Sequence, residues 1–251
     1  MNPYQALARF YDLEHVDLTA DVIFYLHFAR QADGPVLELG CGSGRLLVPL
    51  AEAGGELTGV DNSPAMLALA RNKLGDRVKL VEGDMRTFEL RERYALAIVS
   101  INSFMHLLTT ADQLAALSNV ARHLKPGGRL IIDLPAGDEL VHQDADARLT
   151  LERQFVDPAT GHQILKQVVS RIDWATQCQE LVHIYDELLA DGTVKRAVVP
   201  MTLRHTFRYE LALLLDKAGY TLERLYGDYD LSPYESGCPR MIAVAQFLGG
   251  V

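Results

Sequence analysis

Three glycines and a carboxylate in the first quarter of the chain have the types and spacing of a nucleotide site. Residues 36–45 (VLELGCGSGR) predict a short buried strand, a turn containing Gly40, Gly42 and Gly44, and the start of a helix. Glycines let the backbone turn tightly against a ligand, and the first amides of a helix are free to bind it. Asp61 ends the next predicted strand, where a carboxylate can accept both hydroxyls of a ribose.

The residues around these glycines restrict the kind of nucleotide. Arg45 occupies the position at which a dinucleotide-binding fingerprint requires a third small residue, and the chain has no Gly-Lys-Ser/Thr phosphate loop. Glu38, two residues before Gly40, would repel a pyrophosphate. A carboxylate there suits a ligand with positive charge, such as an amine or a sulfonium.

With these residues, the chain resembles the class I S-adenosylmethionine-dependent methyltransferases. Residues 38–44 (ELGCGSG) match the glycine-rich motif of that family, and Asp61 matches its ribose-binding acidic residue. Gly83-Asp84-Met85 matches the adenine segment, and Leu124-Lys-Pro-Gly-Gly128 matches the turn before the fifth strand. The resemblance covers residues 35–135. The family often has a Phe-Asp pair at the fourth strand, where this chain has Tyr94-Ala95.

The resemblance implies S-adenosylmethionine as the cofactor and S-adenosylhomocysteine as its product. Asp84 would bind the adenine amino group, and Met85 would lie against the ring. The full set of residues that we expect at the cofactor is Tyr11, Glu38, Gly40, Gly42, Gly44, Asp61, Asn62, Met66, Asp84, Met85 and Ile101.

Tyr11-Asp12 and a β insertion after the fifth strand resemble the small-molecule branch, which includes amino-sugar and glycine/sarcosine N-methyltransferases. In that branch the N-terminal segment covers the cofactor and the inserted sheet helps to bound the acceptor site. Asn102 and His106 follow the fourth strand, where the family places groups near the transferred methyl, so they are the candidate catalytic residues. The candidate substrate-binding residues are Phe104, Trp174, Tyr185 and Tyr229.

Each candidate also has a structural interpretation. The glycines alone would make a tight turn, Glu38 would act as a buried cap, and Asp61 would cap the next helix. His106 would serve as a general base or would only pack at the start of a helix, and the aromatic candidates would be core or surface residues. His142, Asp144 and Asp146 have a spacing that could hold a metal, but solvated loop residues are commoner at such spacing, so we expect no metal site.

Composition narrows the classes of function. The 251 residues carry a net charge of −9 without a basic cluster, which disfavours nucleic acid and anionic membranes as partners. Three cysteines without a CxxC pair argue against a disulfide framework or a zinc knuckle. No signal peptide and no apolar stretch of about 20 residues is recognisable. We therefore expect a cytoplasmic protein, and a homodimer is one option for its oligomeric state.

Residues 1–135 alternate between apolar strands and helices, which predicts an α/β fold with a doubly wound, mostly parallel sheet. Two strands near the C-terminus, 221–226 and 241–248, bring the sheet to seven. Ser63-Pro64 and Thr110-Ala-Asp-Gln113 predict helix starts. Runs at 163–174, 178–189 and 194–203 predict an inserted antiparallel meander. We divide the chain into a cofactor-binding core (1–148), an insertion that bounds the acceptor site (149–205) and a C-terminal part of the core (206–251).

The sequence thus predicts methyl transfer to a small-molecule acceptor by in-line substitution. It does not choose between a nitrogen and an oxygen nucleophile. The alternatives are a non-catalytic protein that senses S-adenosylmethionine and an RNA or protein methyltransferase. A dinucleotide-dependent oxidoreductase is disfavoured by Glu38 and Arg45.

Overall fold

The computed structural model describes residues 3–137 and 148–249. The metal hypothesis for His142, Asp144 and Asp146 lies outside these residues. Within the described ranges, no helix is long and apolar enough to cross a membrane.

Eleven strands are present in the described residues. They are β1 (Val36–Leu39), β2 (Leu57–Asp61), β3 (Lys79–Glu82), β4 (Tyr94–Val99), β5 (Leu124–Pro135), β6 (Leu149–Val156), β7 (Gln163–Asp173), β8 (Cys178–Leu188), β9 (Val194–Arg204), β10 (Tyr220–Tyr226) and β11 (Arg240–Phe247). The helices are α1 (Tyr4–Glu14), α2 (Ala20–Gln31), α3 (Leu47–Glu52), α4 (Pro64–Leu74), α5 (Thr110–His123) and α6 (Arg208–Lys217).

The larger sheet has seven strands in the order β10-β11-β5-β4-β1-β2-β3. The five from β5 to β3 run parallel, and β11 is antiparallel to both of its neighbours, β5 and β10, so β10 at the edge runs in the same direction as the five. All four residues of β1 are buried, as a strand covered by helices on both faces requires. The predicted fold class is confirmed.

The order of the sheet reverses at β1, which has β2 on one side and β4 on the other. In an open α/β sheet this switch point leaves a crevice at the carboxyl ends of the two strands, and ligands bind there. The glycine turn follows β1, and the segment with Asn102 and His106 follows β4. The topology therefore brings both predicted motifs to one crevice.

Side-chain caps mark the starts of α4 and α5, two of the helices that connect strands of the large sheet. Ser63 caps α4 as predicted, because its hydroxyl accepts from the amide of Met66 and Pro64 is the first helical residue. The predicted capping box of α5 is wrong by one residue, because its N-cap is Thr109, which exchanges hydrogen bonds with Asp112. Gln113 instead bonds the buried hydroxyl of Thr206.

The second sheet is an antiparallel meander in the order β6-β7-β8-β9. Its first strand was not predicted separately, since residues 149–156 are mostly exposed and give little apolar alternation. One face packs on α1 in a hydrophobic cluster whose buried members are Leu7, Phe10, Ile164, Tyr185 and Val199. Helix α1 thus lies between the two sheets.

Candidate functional site

A cavity of about 600 Å³ lies between the crevice of the large sheet, helix α1 and the small sheet. It is lined by twelve of the residues predicted from the sequence. These are Tyr11, Gly40, Gly42, Asp61, Asn62, Met66, Asp84, Met85, Ile101, Asn102, His106 and Tyr185.

The glycine turn forms one wall of this cavity. Gly40 and Gly42 have φ angles of +67° and +54°, in the left-handed region that favours glycine. A Cβ on Gly40 would lie 2.7 Å from the hydroxyl of Ser103, so a side chain there would clash with the loop that follows β4. Gly44 does not line the cavity; a Cβ there would lie 2.9 Å from Leu74, so its role is close packing on α4.

Asp61 fixes the turn to the end of β2. One carboxylate oxygen accepts from the amide of Gly42 and the other from the amide of Ser63, both at 2.8 Å. Burial raises the pKa of this carboxyl, and the backbone amides oppose that effect. Each carboxylate oxygen can accept a further hydrogen bond from a ligand hydroxyl.

Glu38 lies beneath the turn and is buried. Its Oε1 accepts from the hydroxyl of Ser100 at 2.7 Å, whereas its Oε2 has no hydrogen-bond partner. Burial raises the pKa of Glu38 to about 8, and the hydrogen bond from Ser100 opposes it. An unpartnered buried carboxyl oxygen is costly unless a donor satisfies it, so this position suits a donor group of a ligand. Glu38 itself is not among the described residues that line the cavity.

The end of the cavity beyond β3 carries Asp84 and Met85. Asp84 accepts from the Arg86 guanidinium at 2.6 and 2.9 Å, and Arg86 also pairs with Asp112 at 2.6 Å. These contacts lower the pKa of Asp84. An adenine amino group would therefore share this carboxylate with Arg86.

Arg45, which breaks the dinucleotide fingerprint, has a structural role. Its guanidinium donates to both oxygens of Asp21, at 2.5 and 3.1 Å, and to the carbonyl of Leu18. Asp21 is fully buried. The pair attaches α2 and the segment before it to the helical end of the glycine turn.

Helix α1 covers the cavity and is held at its C-terminal end by contacts to both sides. Asp12 accepts from the hydroxyl of Ser43 in the glycine turn and pairs with Lys73 of α4, both at 2.6 Å. Glu14 pairs with Lys166 of β7 at 2.7 Å and accepts from the hydroxyl of Tyr185. The helix therefore links the cofactor half of the site to the small sheet.

Tyr4 and His106 are in contact on the cavity wall. The Tyr4 hydroxyl lies 2.8 Å from Nε2 of His106, and both residues are cavity-lining. Burial lowers the pKa of His106 to about 4 and raises that of Tyr4, so both groups are neutral at pH 7. Asn102, with a φ of +62°, accepts from Arg240 at 2.9 Å, which fixes the loop after β4.

Polar residues of the small sheet complete the opposite wall. Lys166 and His183 line the cavity beside Tyr185, and Nδ1 of His183 is buried without a partner. Sequence reasoning missed Tyr4, Glu14, Lys166 and His183. No motif marks them, because they meet only when α1 and β7–β8 pack together.

Three predicted substrate residues lie away from the cavity. Phe104 is in the main hydrophobic core. Trp174 is 52% exposed at the turn between β7 and β8. The Tyr229 hydroxyl donates to the buried carboxylate of Asp133 at 2.8 Å, and its ring packs near Phe24. None of these three residues is among the described residues that line the cavity.

The residues present fit S-adenosylmethionine. Gly40 and Gly42 bring the backbone of the turn to the cavity without side chains, and Asp61 has remaining capacity for ribose hydroxyls. Glu38 beneath the turn has one oxygen that a hydrogen-bond donor could satisfy. Tyr11 and Met66 also line the cavity. Among the described residues, no group of three or more His, Cys, Asp or Glu side chains could hold a metal.

Comparisons with known proteins agree with this geometry. Residues 36–128 match the profile of a family described as methyltransferase domain. The chain is 30% identical, over 90% of its length and 89% of the relative's, to the cypemycin N-terminal methyltransferase of a Streptomyces species.

Two further relatives are informative. A dTDP-3-amino-3,6-dideoxy-alpha-D-glucopyranose N,N-dimethyltransferase of Streptomyces fradiae is 34% identical over 52% of this chain and 49% of its own. The structure of the CcbJ methyltransferase of Streptomyces caelestis superposes with a TM-score of 0.77, at 25% identity, covering 92% of this chain and 90% of that one.

Proposed function

This chain belongs to the class I S-adenosylmethionine-dependent methyltransferases, and from that premise we propose that it methylates the nitrogen of a small-molecule amine. The observation that carries the proposal is the neutral Tyr4–His106 pair on the cavity wall. The names of two relatives, an N-terminal and a sugar N,N-dimethyltransferase, support nitrogen as the acceptor atom.

The charges of the cavity also support an amine. Among the described lining residues, Arg86 and Lys166 each already pair with two carboxylates, so neither is a free cation for a phosphate or carboxylate acceptor. The lining carboxylates are Glu14, Asp61, Asp84 and Asp112. A net negative cavity attracts a cationic amine as well as a cationic cofactor.

When bound, S-adenosylmethionine supplies an electrophilic methyl group on a sulfonium. The chain's own contribution is alignment and the exclusion of water. Glu38, Asp61 and the glycine turn would hold the cofactor, and α1 would cover it. Tyr4 and His106 would hydrogen-bond the amine and direct its lone pair.

The difference between two pKa values argues against His106 as the base that deprotonates an ammonium. Its pKa is about 4, whereas a primary amine has a pKa of ~10, so the transfer would cost roughly 8 kcal/mol. The amine must therefore react from its free-base form, which the neutral pair can bind. Asn102, the other candidate, would act by fixing the loop that carries His106 into the cavity.

The test is an acceptor screen. The purified chain is incubated with S-adenosylmethionine and a panel of amino sugars, amino acids and short peptides, each paired with its hydroxyl analogue in place of the amine. We expect S-adenosylhomocysteine to form with amines and not with the hydroxyl analogues. Turnover only with the hydroxyl analogues would reject nitrogen, and S-adenosylhomocysteine binding without any turnover would favour the sensing alternative.

A further inference from the structure

We propose that the outer face of the small sheet is the interface of a homodimer, in which two copies of the chain pack these sheets against each other. The outer face is the one that points away from α1. Residues alternate between the two faces of a strand. Because Ile164, Tyr185 and Val199 are buried against α1, their neighbours along each strand lie on the outer face.

The outer face is unusually apolar. Two adjacent cross-strand rows cross all four strands, and the pairing register gives their members as Leu149–Val169–Val182–Pro200 and Leu151–Gln167–Ile184–Val198. Leu149 and Leu151 are each 57% exposed and Val198 is 55% exposed. Among the residues described, none of the eight belongs to a hydrophobic cluster of the fold.

An antiparallel sheet with one face on the core normally has a polar face toward water. Here the outer face also carries apolar side chains, in addition to the apolar cluster that packs on α1, which is typical of a sheet that is covered on both sides. Four strands about 4.8 Å apart and about eight residues long present roughly 500 Å² per copy. Two facing copies would bury roughly 1,000 Å², the lower limit of a specific interface.

The charges on the same face favour a second copy as the occupant. Arg171 lies opposite Glu180 at one end of the face, and Arg196 pairs with Asp186 at 2.6 Å on the other side of the apolar rows. These four charges cancel, although the chain carries −9. A two-fold axis lets an arginine of one copy meet an acidic residue of the other. An anionic membrane would require an excess of cations.

Such a dimer would also support the active site. The inner face of β7 and β8 carries Lys166, His183 and Tyr185, which line the cavity. Covering the outer face of these strands would hold that wall in place. The partner would not enter the cavity itself.

Sedimentation equilibrium of the purified chain tests the proposal. We expect a mass twice that of the 27.8 kDa chain. Val198→Glu should raise the dimer dissociation constant about 100-fold or more, because a two-fold axis buries the new charge twice. Ile23→Glu is the matched control, since Ile23 is 74% exposed on α2. It should leave the dimer intact.

Charge reversal tests the orientation without touching the apolar rows. Arg171→Glu and Glu180→Arg should each weaken the dimer, and the double variant should restore it. Circular dichroism would show whether Val198→Glu is folded. If it is not, the charge-reversal variants test the dimer interface in its place. A monomeric parent chain, a dimer that persists in folded Val198→Glu, or a dimer that Ile23→Glu disrupts would overturn the proposal.

Discussion

The Tyr4 hydroxyl and Nε2 of His106 lie 2.8 Å apart on the wall of the cavity. Their rings also meet edge to face, with centroids 5.4 Å apart. The contact joins the first turn of the covering helix to the loop after β4. In the proposed function, one hydrogen bond therefore links the helix that would cover the cofactor to the loop that would place the acceptor.

Removing that hydrogen bond should slow methyl transfer. We expect Tyr4→Phe to lower kcat about 10- to 100-fold, because an unpaired buried hydrogen-bonding group costs about 1–3 kcal/mol. Affinity for S-adenosylhomocysteine, measured by calorimetry, should change little. Tyr209→Phe, at a side chain that is 74% exposed, is the control. An equal loss of cofactor affinity in Tyr4→Phe would assign the residue to the lid alone.

The pH dependence of activity should not come from His106. Burial lowers its pKa to about 4, so the ring stays neutral from pH 5 to 8, where an ordinary histidine would lose its proton near 6.5. We expect kcat/KM to rise with pH as the acceptor amine loses its proton. His106→Gln should lower the plateau and keep the position of the rise. A rise that disappears in this variant would restore the general-base role.

Glu38 should couple the stability of the ligand-free protein to pH. Its pKa is about 8 in the folded state, against 4.5 for an ordinary glutamate in water, so the folded state binds more protons than the unfolded chain between these values. Stability should therefore fall as the pH rises from about 5 to 8. Thermal unfolding should show a shallower decline for Glu38→Gln than for the parent chain. Parallel declines would place the titration elsewhere.

The sequence was most informative where chemistry demands particular residues at short spacing. Gly40, Gly42 and Asp61 were predicted because a tight turn and a ribose acceptor leave few alternatives, and all three line the cavity. Alternating apolar strands and helices were enough for the sheet, because its central strands are buried on both faces.

The wall of the cavity at the small sheet was less predictable, because its residues are distant in sequence. Lys166 and Glu14 are 152 positions apart and meet only when α1 packs on the small sheet. Aromatic type alone was a poor guide there. Tyr185 lines the cavity, but the ring of Phe104 is core, and the hydroxyl of Tyr229 is committed to Asp133.

Asp61 should be needed for cofactor affinity. Asp61→Ala removes the acceptor for the amides of Gly42 and Ser63 as well as for the ribose. We expect affinity for S-adenosylhomocysteine to fall about 10- to 100-fold, as for loss of hydrogen bonds to a charged group. Glu82→Ala, at an exposed carboxylate paired in register with Asp61, is the control. Unchanged affinity in Asp61→Ala would remove this residue from the ribose site.

The buried Arg45–Asp21 pair should matter for stability more than for catalysis. Arg45→Met would leave Asp21 fully buried and without its two guanidinium donors. Removing one partner of a buried ion pair costs about 3–5 kcal/mol, whereas replacing both with apolar residues is often neutral. Urea unfolding should therefore show a large loss for Arg45→Met and recovery in Arg45→Met/Asp21→Leu. Arg45→Met/Asp21→Leu could instead prove no more stable than Arg45→Met. The ion pair would then contribute stability of its own, and the loss in Arg45→Met would not come from an unpaired Asp21.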